Sequence, residues 1–410
     1  MSAAGARLGG PEELRASPNP LHADYARFRV GERLLLSGHS HQAWPDVALE
    51  GMVEAFDDAA LCVDDKWGRA FAKADEVRAG VGALLGDPGA EVALGQNTHE
   101  LVLRFLSALD LRGRPRLVTT DGEFHTLRRQ LARLGEAGLD VVRVAAAPAD
   151  TLAERLAATA DDRTAAVLVS AVLFETARIL PGLGALAGAC AARGAELLVD
   201  VYHLAGPRRV ALGAMGLEAA WVVGGGYKYL QLGEGTCFLR LPPQAAGMRP
   251  AITGWFAEFD ALAAVPDPHG RVAYGAGAAR FAGATYDPAS HYRAARVLRF
   301  FAERGLTPEL LEASYRHQVA LLAREVDALD LPDAVLTRDR DAALDAIAGF
   351  LALRSPRAAA LQRALAARGV STDSRGPWLR LGPAPYLSDD QLREAVARLD
   401  SISGEIVSKL

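Results

Sequence analysis

The sequence predicts an α/β fold: a mostly parallel central sheet covered by helices, followed by a smaller α+β C-terminal domain. Three observations carry that reading. From about residue 46 to residue 290, short apolar runs of strand length alternate with amphipathic helical stretches. That order calls for crossover connections and a sheet buried on both faces. After about Ala289 the alternation gives way to long helical pieces and a proline-punctuated stretch. The length, 410 residues, suits one large domain with a smaller companion. Four regions are expected: a polar, disordered tail over 1–20, a segment crossing the domain junction over 21–46, the large domain over 47–290 and the small one over 291–410.

Each element has a local reason. Pro45 and Asp46 open a helix running through Phe56, and a second amphipathic stretch from Arg69 to Leu85 stops at Gly86-Asp87-Pro88. A short apolar run at Glu91–Leu94 leads to Asn97-Thr98, an N-cap pair before a helix over Leu101–Leu109. Strands are expected at Arg116–Thr120, Asp140–Val144, Ala165–Val169, Glu196–Asp200 and Trp221–Val223, with helices such as Thr126–Glu136 and Leu183–Ala192 between them. The C-terminal third adds helices at Tyr292–Ala302 and Pro308–Leu329, the prolines Pro377, Pro383 and Pro385, and a last helix at Asp389–Ile402.

Composition excludes several classes. Half of the residues are hydrophobic and 23% are charged, which is ordinary globular composition. Lys+Arg 45 against Asp+Glu 50 leaves a formal charge of −5, so no basic field exists to hold a nucleic-acid backbone. No apolar run is long enough for a membrane helix, and the N-terminus lacks the apolar core of a signal peptide. Cys62, Cys190 and Cys237 lie far apart with no CxxC pairing, which points to a reducing compartment and the cytoplasm. The final Ser408-Lys409-Leu410 spells a peroxisomal address, meaningful only in a eukaryotic host.

In an open parallel sheet, ligands bind beyond the strand ends, so polar residues there are weighed first. ELLVDVYHLAG, residues 196–206, ends a buried strand on Asp200 with His203 three residues later. WVVGGGYKYLQLGEGT, residues 221–236, opens a strand into three glycines and then Tyr227, Lys228 and Tyr229. A lysine just past a buried strand is expensive to desolvate as a cation; a site that lowers its pKa turns it into a nucleophilic amine. Taken alone, Asp200 also reads as a helix cap and Lys228 as a surface lysine. Tyr229 breaks the GxGxxG pattern, and no Walker sequence occurs. His39 and His41 in GHSHQ have no third ligand at metal spacing, so no metal site is expected.

A strand-ending Asp-x-x-His, followed 28 residues later (228 − 200) by strand-Gly-x-Lys, resembles the pyridoxal-phosphate enzymes of the aspartate-aminotransferase superfamily. The chain resembles their class V branch, and most closely the kynureninase family, through DVYH at 200–203, GYKYL at 226–230, GW at 254–255, FAGAT at 281–285 and DSRGPWLRLGPAPYL at 373–387. The resemblance runs from about residue 35 to the C-terminus. It implies fold type I and a pyridoxal 5'-phosphate cofactor held by Lys228 as a Schiff base, with Lys228 shuttling the substrate's Cα proton. It implies Asp200 against the pyridinium nitrogen and His203 beside the ring. Asn97 and Thr98 would offer a helix N-terminus to the phosphate, with a hydroxyl from Tyr227. Phe124 or His125 would stack on the ring, Phe124 being preferred. Trp255 and Thr285 would reach the phosphate from the partner subunit of a homodimer, and Arg380 would grip the α-carboxylate of an amino-acid substrate. Arg375 reads as a structural ion pair.

The pattern departs where substrate pockets form. SGHSHQAWP at 37–45 replaces a GNSLG-like stretch, YKYLQLGEG replaces YKYLNGGPG, and Ser170-Ala171 stand where relatives carry asparagine toward the cofactor phenolate. His39 and His41 are candidates for that pocket. The expected activity is kynureninase-like cleavage of an amino-acid side chain, by C–C hydrolysis or β-lyase chemistry. A class V aminotransferase, a C–S lyase and an epimerase would share every cofactor residue. A cysteine desulfurase is disfavoured because no cysteine nucleophile follows Cys237.

Overall fold

The computed structural model describes residues 5–264 and 267–407. In chain order the elements are β1 (Leu34–Leu35), α1 (Val47–Cys62), α2 (Trp67–Leu84), β2 (Val92–Gly95), α3 (Thr98–Ser107), β3 (Arg116–Thr120), α4 (His125–Glu136), β4 (Asp140–Val144) and α5 (Leu152–Thr159). Then come β5 (Thr164–Ser170), α6 (Leu183–Ala192), β6 (Glu196–Asp200), β7 (Trp221–Gly225), β8 (Cys237–Arg240), α7 (Ala289–Arg304) and α8 (Pro308–Ala328). The chain finishes with β9 (Leu351–Arg354), α9 (Ala358–Ala367), β10 (Val370–Ser371), β11 (Asp373–Arg375), β12 (Trp378–Leu381) and α10 (Asp389–Val407).

The large domain is a seven-stranded sheet in the order β2-β8-β7-β6-β5-β3-β4. The strands from β4 through β7 are parallel; β8 is antiparallel to both β7 and β2. Every residue of β5 is buried, as a central strand covered on both faces requires. The registers Ser170↔Asp200 and Asp200↔Val223 align the carboxyl ends of β5, β6 and β7, so residues just beyond them share one edge. The antiparallel β8 is absent from the sequence reading: CFLR is four residues long and follows a glycine-rich loop, so neither length nor alternation marks it.

The small domain is a three-stranded antiparallel sheet, β11-β12-β9, packed with α8, α9 and α10. Its core takes in Leu21, Tyr25, Leu36 and Ala43, and β1 pairs parallel with β10, so the segment 21–46 is built into it. The disordered tail expected over 1–20 is corrected for residues 5–20. Leu8 and Leu14 are buried in the same core, and Asn19 Nδ2 donates to Leu14 O at 2.7 Å and Pro385 O at 2.9 Å. Two isolated leucines in a polar stretch show no periodicity, yet each fills a socket. The domain boundary expected at 290 falls within α7, whose Ala294, Ala295 and Val297 join the large core while Phe300 joins the small one. Among the described residues no helix is long and apolar enough to cross a membrane. Ser408-Lys409-Leu410 lies outside them.

Candidate active site

Strand β6 delivers Asp200 to the sheet edge, and the turn that follows carries Tyr202 and His203. Strand β7 delivers the glycines, where close contacts leave no room for a side chain: a Cβ on Gly225 would lie 2.5 Å from both Cys237 Sγ and Tyr202 Oη. Tyr227 and Lys228 follow at once. These groups line a cavity of about 270 Å3 together with Gln96, Asn97, Thr98, Phe124, Ser170, Glu234 and Cys237.

Lys228 is buried, and its Nζ lies 3.0 Å from His203 Nε2. Aromatic faces surround it, with centroids at 4.5 Å for Tyr202, 5.2 Å for Phe124 and 5.8 Å for Tyr227. Burial brings its pKa down to about 8, with the Asp200 carboxylate opposing. A substantial share of neutral amine is therefore present near physiological pH. Asp200 Oδ1 accepts the amide of Tyr202 at 2.7 Å; burial raises its pKa, while that bond and Lys228 work to lower it. His203 is kept neutral by burial and by Lys228.

The far wall of the cavity is the start of α3. Asn97 caps it, accepting from Glu100 N at 3.0 Å while its own Nδ2 donates to Glu100 Oε1 at 3.0 Å, a reciprocal cap. The N-terminal end of α3, with its dipole, thus meets the cavity at Asn97 and Thr98, the polarity an anion needs. Two polar atoms on this cavity, Gln96 Nε2 and His203 Nδ1, are buried without a protein partner. An amine, a carboxylate, a flat aromatic wall and an anion-favouring helix end fit the aldehyde, ring nitrogen, ring face and phosphate of pyridoxal phosphate. Among the described residues, no three His, Cys, Asp or Glu side chains group as a metal site.

The other candidate residues divide. Phe124 lines the cavity; His125 opens α4 just outside it, with its ring 5.6 Å from Phe174. His41 is exposed and stacks on Tyr227 at 4.7 Å and 26°, so it stands at the rim. His39 is fully enclosed, 4.6 Å from the ring of Phe350, with both ring nitrogens unpartnered and its pKa brought down to about 4 by burial. Its nearest carboxylate oxygen, Asp373 Oδ1, is 3.9 Å away, too far for a direct hydrogen bond. Trp255 and Thr285 are off the Lys228 cavity: the half-exposed indole donates to Thr285 Oγ1 at 3.3 Å. A Cβ on Gly254 would sit 2.2 Å from Gly283 O, so this glycine lets the two segments touch.

Arg380, on β12, is buried and already oriented. Its Nε and Nη2 donate to Asp373 Oδ1 at 2.9 and 2.6 Å, and Nη1 donates to Phe174 O at 2.5 Å. Three of five N–H groups are used, leaving one on each terminal nitrogen for a ligand carboxylate. Burial pushes the Asp373 carboxyl up, but His39 and Arg380 outweigh it and hold it at about 2. Arg375 also pairs with Asp373, at 3.3 Å, as its structural reading expects.

Sequence reasoning missed Asp373, Tyr202, Glu123 and Gln231. The first two lie inside motifs already singled out, DSRG and DVYH, so their proximity to a charged neighbour was a usable signal. Gln231 opens the departure of YKYLQLGEG from YKYLNGGPG, but its partners are remote in sequence. At φ 59 it sits in the left-handed region and is buried in a chain of hydrogen bonds: Tyr25 Oη donates to its Oε1, its Nε2 donates to Gln42 Oε1 at 2.9 Å, and Gln42 Nε2 donates to Tyr315 Oη at 2.7 Å.

Comparison with protein-family models finds no match, and no curated protein matches in sequence. Solved structures do match in shape. A mutant of the cystine C–S lyase C-DES, with glycine covalently linked to its PLP cofactor, superposes with a TM-score of 0.80 at 16% identity, over 92% of this chain and 98% of its own. The same lyase with its product cysteine persulfide gives 0.78 at 17%, over 90% and 98%. The apo cysteine desulfurase from Thermococcus onnurineus NA1 gives 0.74 at 17%, over 98% and 100%. The chain has pyridoxal-phosphate fold type I. Within fold type I these neighbours act on sulfur-containing amino acids, as their descriptions state, and none is described as a kynureninase.

Proposed function

We propose that the protein is a pyridoxal-phosphate-dependent enzyme acting on an α-amino acid with a leaving group on its β-carbon. The observation that carries this is the desolvated Lys228 amine facing Asp200 across a cavity closed by the N-terminus of α3. When bound, the cofactor supplies an electron sink for the carbanion formed at Cα. Lys228 would anchor it, and its free amine would take the Cα proton; His203 Nε2, 3.0 Å away, would orient the amine. Asp200 would keep the ring nitrogen protonated, Phe124 would cover one ring face, and the α3 N-terminus with Tyr227 would hold the phosphate. Arg380 offers its two remaining N–H groups to the substrate carboxylate.

Between reactions, a C–S β-lyase is better supported than kynureninase-like C–C hydrolysis, because the similar structures include a cystine C–S lyase. Release of sulfur as a free product, with no protein cysteine to accept it, fits the thiols of this chain. Cys237 lies on the cavity, but burial pushes its pKa up to about 12, so it stays a protonated wall group. An aminotransferase or epimerase would use the same cofactor residues.

A homodimer follows from the same reading. On α1, Leu49, Met52, Val53 and Phe56 form an i, i+3, i+4, i+7 apolar stripe exposed to solvent, and Trp255 is exposed beside Thr285. A second copy covering this surface would bring Trp255 and Thr285 toward the partner's phosphate. Three free cysteines support a reducing, cytoplasmic location.

The test is the visible spectrum of purified protein incubated with pyridoxal phosphate. A yellow form that borohydride bleaches, absent in Lys228→Ala, is expected; a protein that stays colourless refutes the reading. Incubation with cystine, S-substituted cysteines, kynurenine and 3-hydroxykynurenine then separates the reactions. Pyruvate with ammonia marks β-elimination, and alanine with an aromatic acid marks C–C hydrolysis.

A further inference from the structure

Behind the cavity wall lies a carboxyl group that the mechanism above does not use. Glu123, in the loop between β3 and α4, is 1% exposed and screened from the cavity by Ser170. Its Oε1 accepts Thr120 Oγ1 at 2.8 Å and the amide of Ser170 at 3.2 Å; its Oε2 accepts only the hydroxyl of Ser170, at 2.6 Å. Ser170 is register-paired with Asp200 and lines the cavity, so its oxygen stands between Glu123 and any occupant.

A serine hydroxyl has one proton and two lone pairs. With Glu123 ionised, that proton points back at Oε2, and Ser170 can only accept hydrogen bonds from the cavity. A proton added to the carboxyl goes to Oε2, which has one bond where Oε1 has two. Oε2–H then donates to Ser170 Oγ, and the serine proton turns into the cavity. We propose that Glu123 is a positioning residue whose protonation sets whether Ser170 accepts from or donates to the bound cofactor. This rests on the reading of the cavity as a pyridoxal-phosphate site.

Burial raises Glu123 to about 7 despite the donors from Ser170 and Thr120, and the Asp200 carboxylate adds to the rise. Asp200, on β6, is the charged group facing Glu123 from the neighbouring strands; Lys228 lies beyond it and interacts with Asp200. The switch therefore falls within the physiological range.

Two measurements on the full-length chain test this. In cofactor-free protein, infrared difference spectra across pH should show a protonated-carboxyl band titrating near neutrality. It should vanish in Glu123→Gln and persist in Ser170→Ala with its midpoint moved upward, because one donor to the carboxylate is gone. In the second measurement, the pyridoxal phosphate dissociation constant is followed from below to above neutrality. The wild type should lose affinity relative to Ser170→Ala by roughly fivefold, the worth of one neutral hydrogen bond, and Glu123→Gln should lack this pH-dependent loss. A carboxyl band unchanged in Glu123→Gln, or the same pH dependence in wild type and Ser170→Ala, overturns the proposal. Protein that binds no pyridoxal phosphate at all refutes the cofactor reading instead, and the infrared result still shows whether Glu123 titrates.

Discussion

The two sides of the cleft are built differently. On one side, Asp200, Tyr227, Lys228 and the start of α3 are placed by strand ends and a helix cap within one sheet, and neighbouring backbone sets their geometry. On the other side, Asp373 and Arg380 are register partners on β11 and β12, and the contacts that complete the group, His39 against Phe350 and Arg380 against Phe174 O, join distant parts of the chain. The first side can carry chemistry common to a whole fold, while the second can change residue by residue without disturbing the sheet. On the proposed function, cofactor attachment and substrate choice would then be separable.

The sharpest way to break that separation is Lys228→Ala. It should abolish the yellow colour and lower turnover by about 10^3-fold or more, measured by product release. In the cofactor-free wild type, the rate of forming the yellow species should rise with pH through about 8 and then level off, because the neutral amine is the competent form. Stability gives the opposite readout for the same residue. A lysine whose folded pKa is about 8 against an ordinary 10.5 binds fewer protons in the native state than in the unfolded one. Its burial therefore opposes folding below pH 8, and that penalty fades as pH rises toward 10.5. Cofactor-free Lys228→Met should be more stable than wild type at neutral pH, by up to about 3 kcal/mol, with the gain lost in alkali; chemical denaturation across pH measures it.

On the other side, Arg380→Ala should raise KM about 10- to 100-fold while the cofactor spectrum is kept. Loss of both together would mean that the two sides are not separable. Gln231→Ala leaves the Tyr25 hydroxyl and Gln42 Oε1 without these partners and should destabilise the chain by about 1–3 kcal/mol, read as a shift in urea midpoint. His41→Ala, at the exposed rim, should change substrate preference only a few-fold, measured as the ratio of kcat/KM for two substrates.

The same contrast explains what the sequence disclosed. The strands at Arg116–Thr120 and Glu196–Asp200 stand where their apolar runs placed them, because a covered parallel strand is a continuous apolar run, and the part-buried edge strand Asp140–Val144 keeps enough of that pattern to be read. Asp200 and Lys228 were legible because they end such runs. The short strands β8 and β9 to β12 were not, since two to four residues carry no period. The Gln231 network and the sockets for Leu8 and Leu14 depend on contacts between residues far apart in the chain, and no local pattern records those, whereas Asp373 is paired only seven positions on, with Arg380.

The hydrogen-bonded chain from Tyr25 through Gln231 and Gln42 to Tyr315 has a consequence for the order of events during synthesis. Its four members span 291 positions (315 − 25 + 1), so the loop after Lys228 gains this tether only when all are present. A nascent polypeptide that has not yet released α8 from the ribosome would hold that loop by its local backbone bonds alone, and the buried polar lock on it would form late in synthesis.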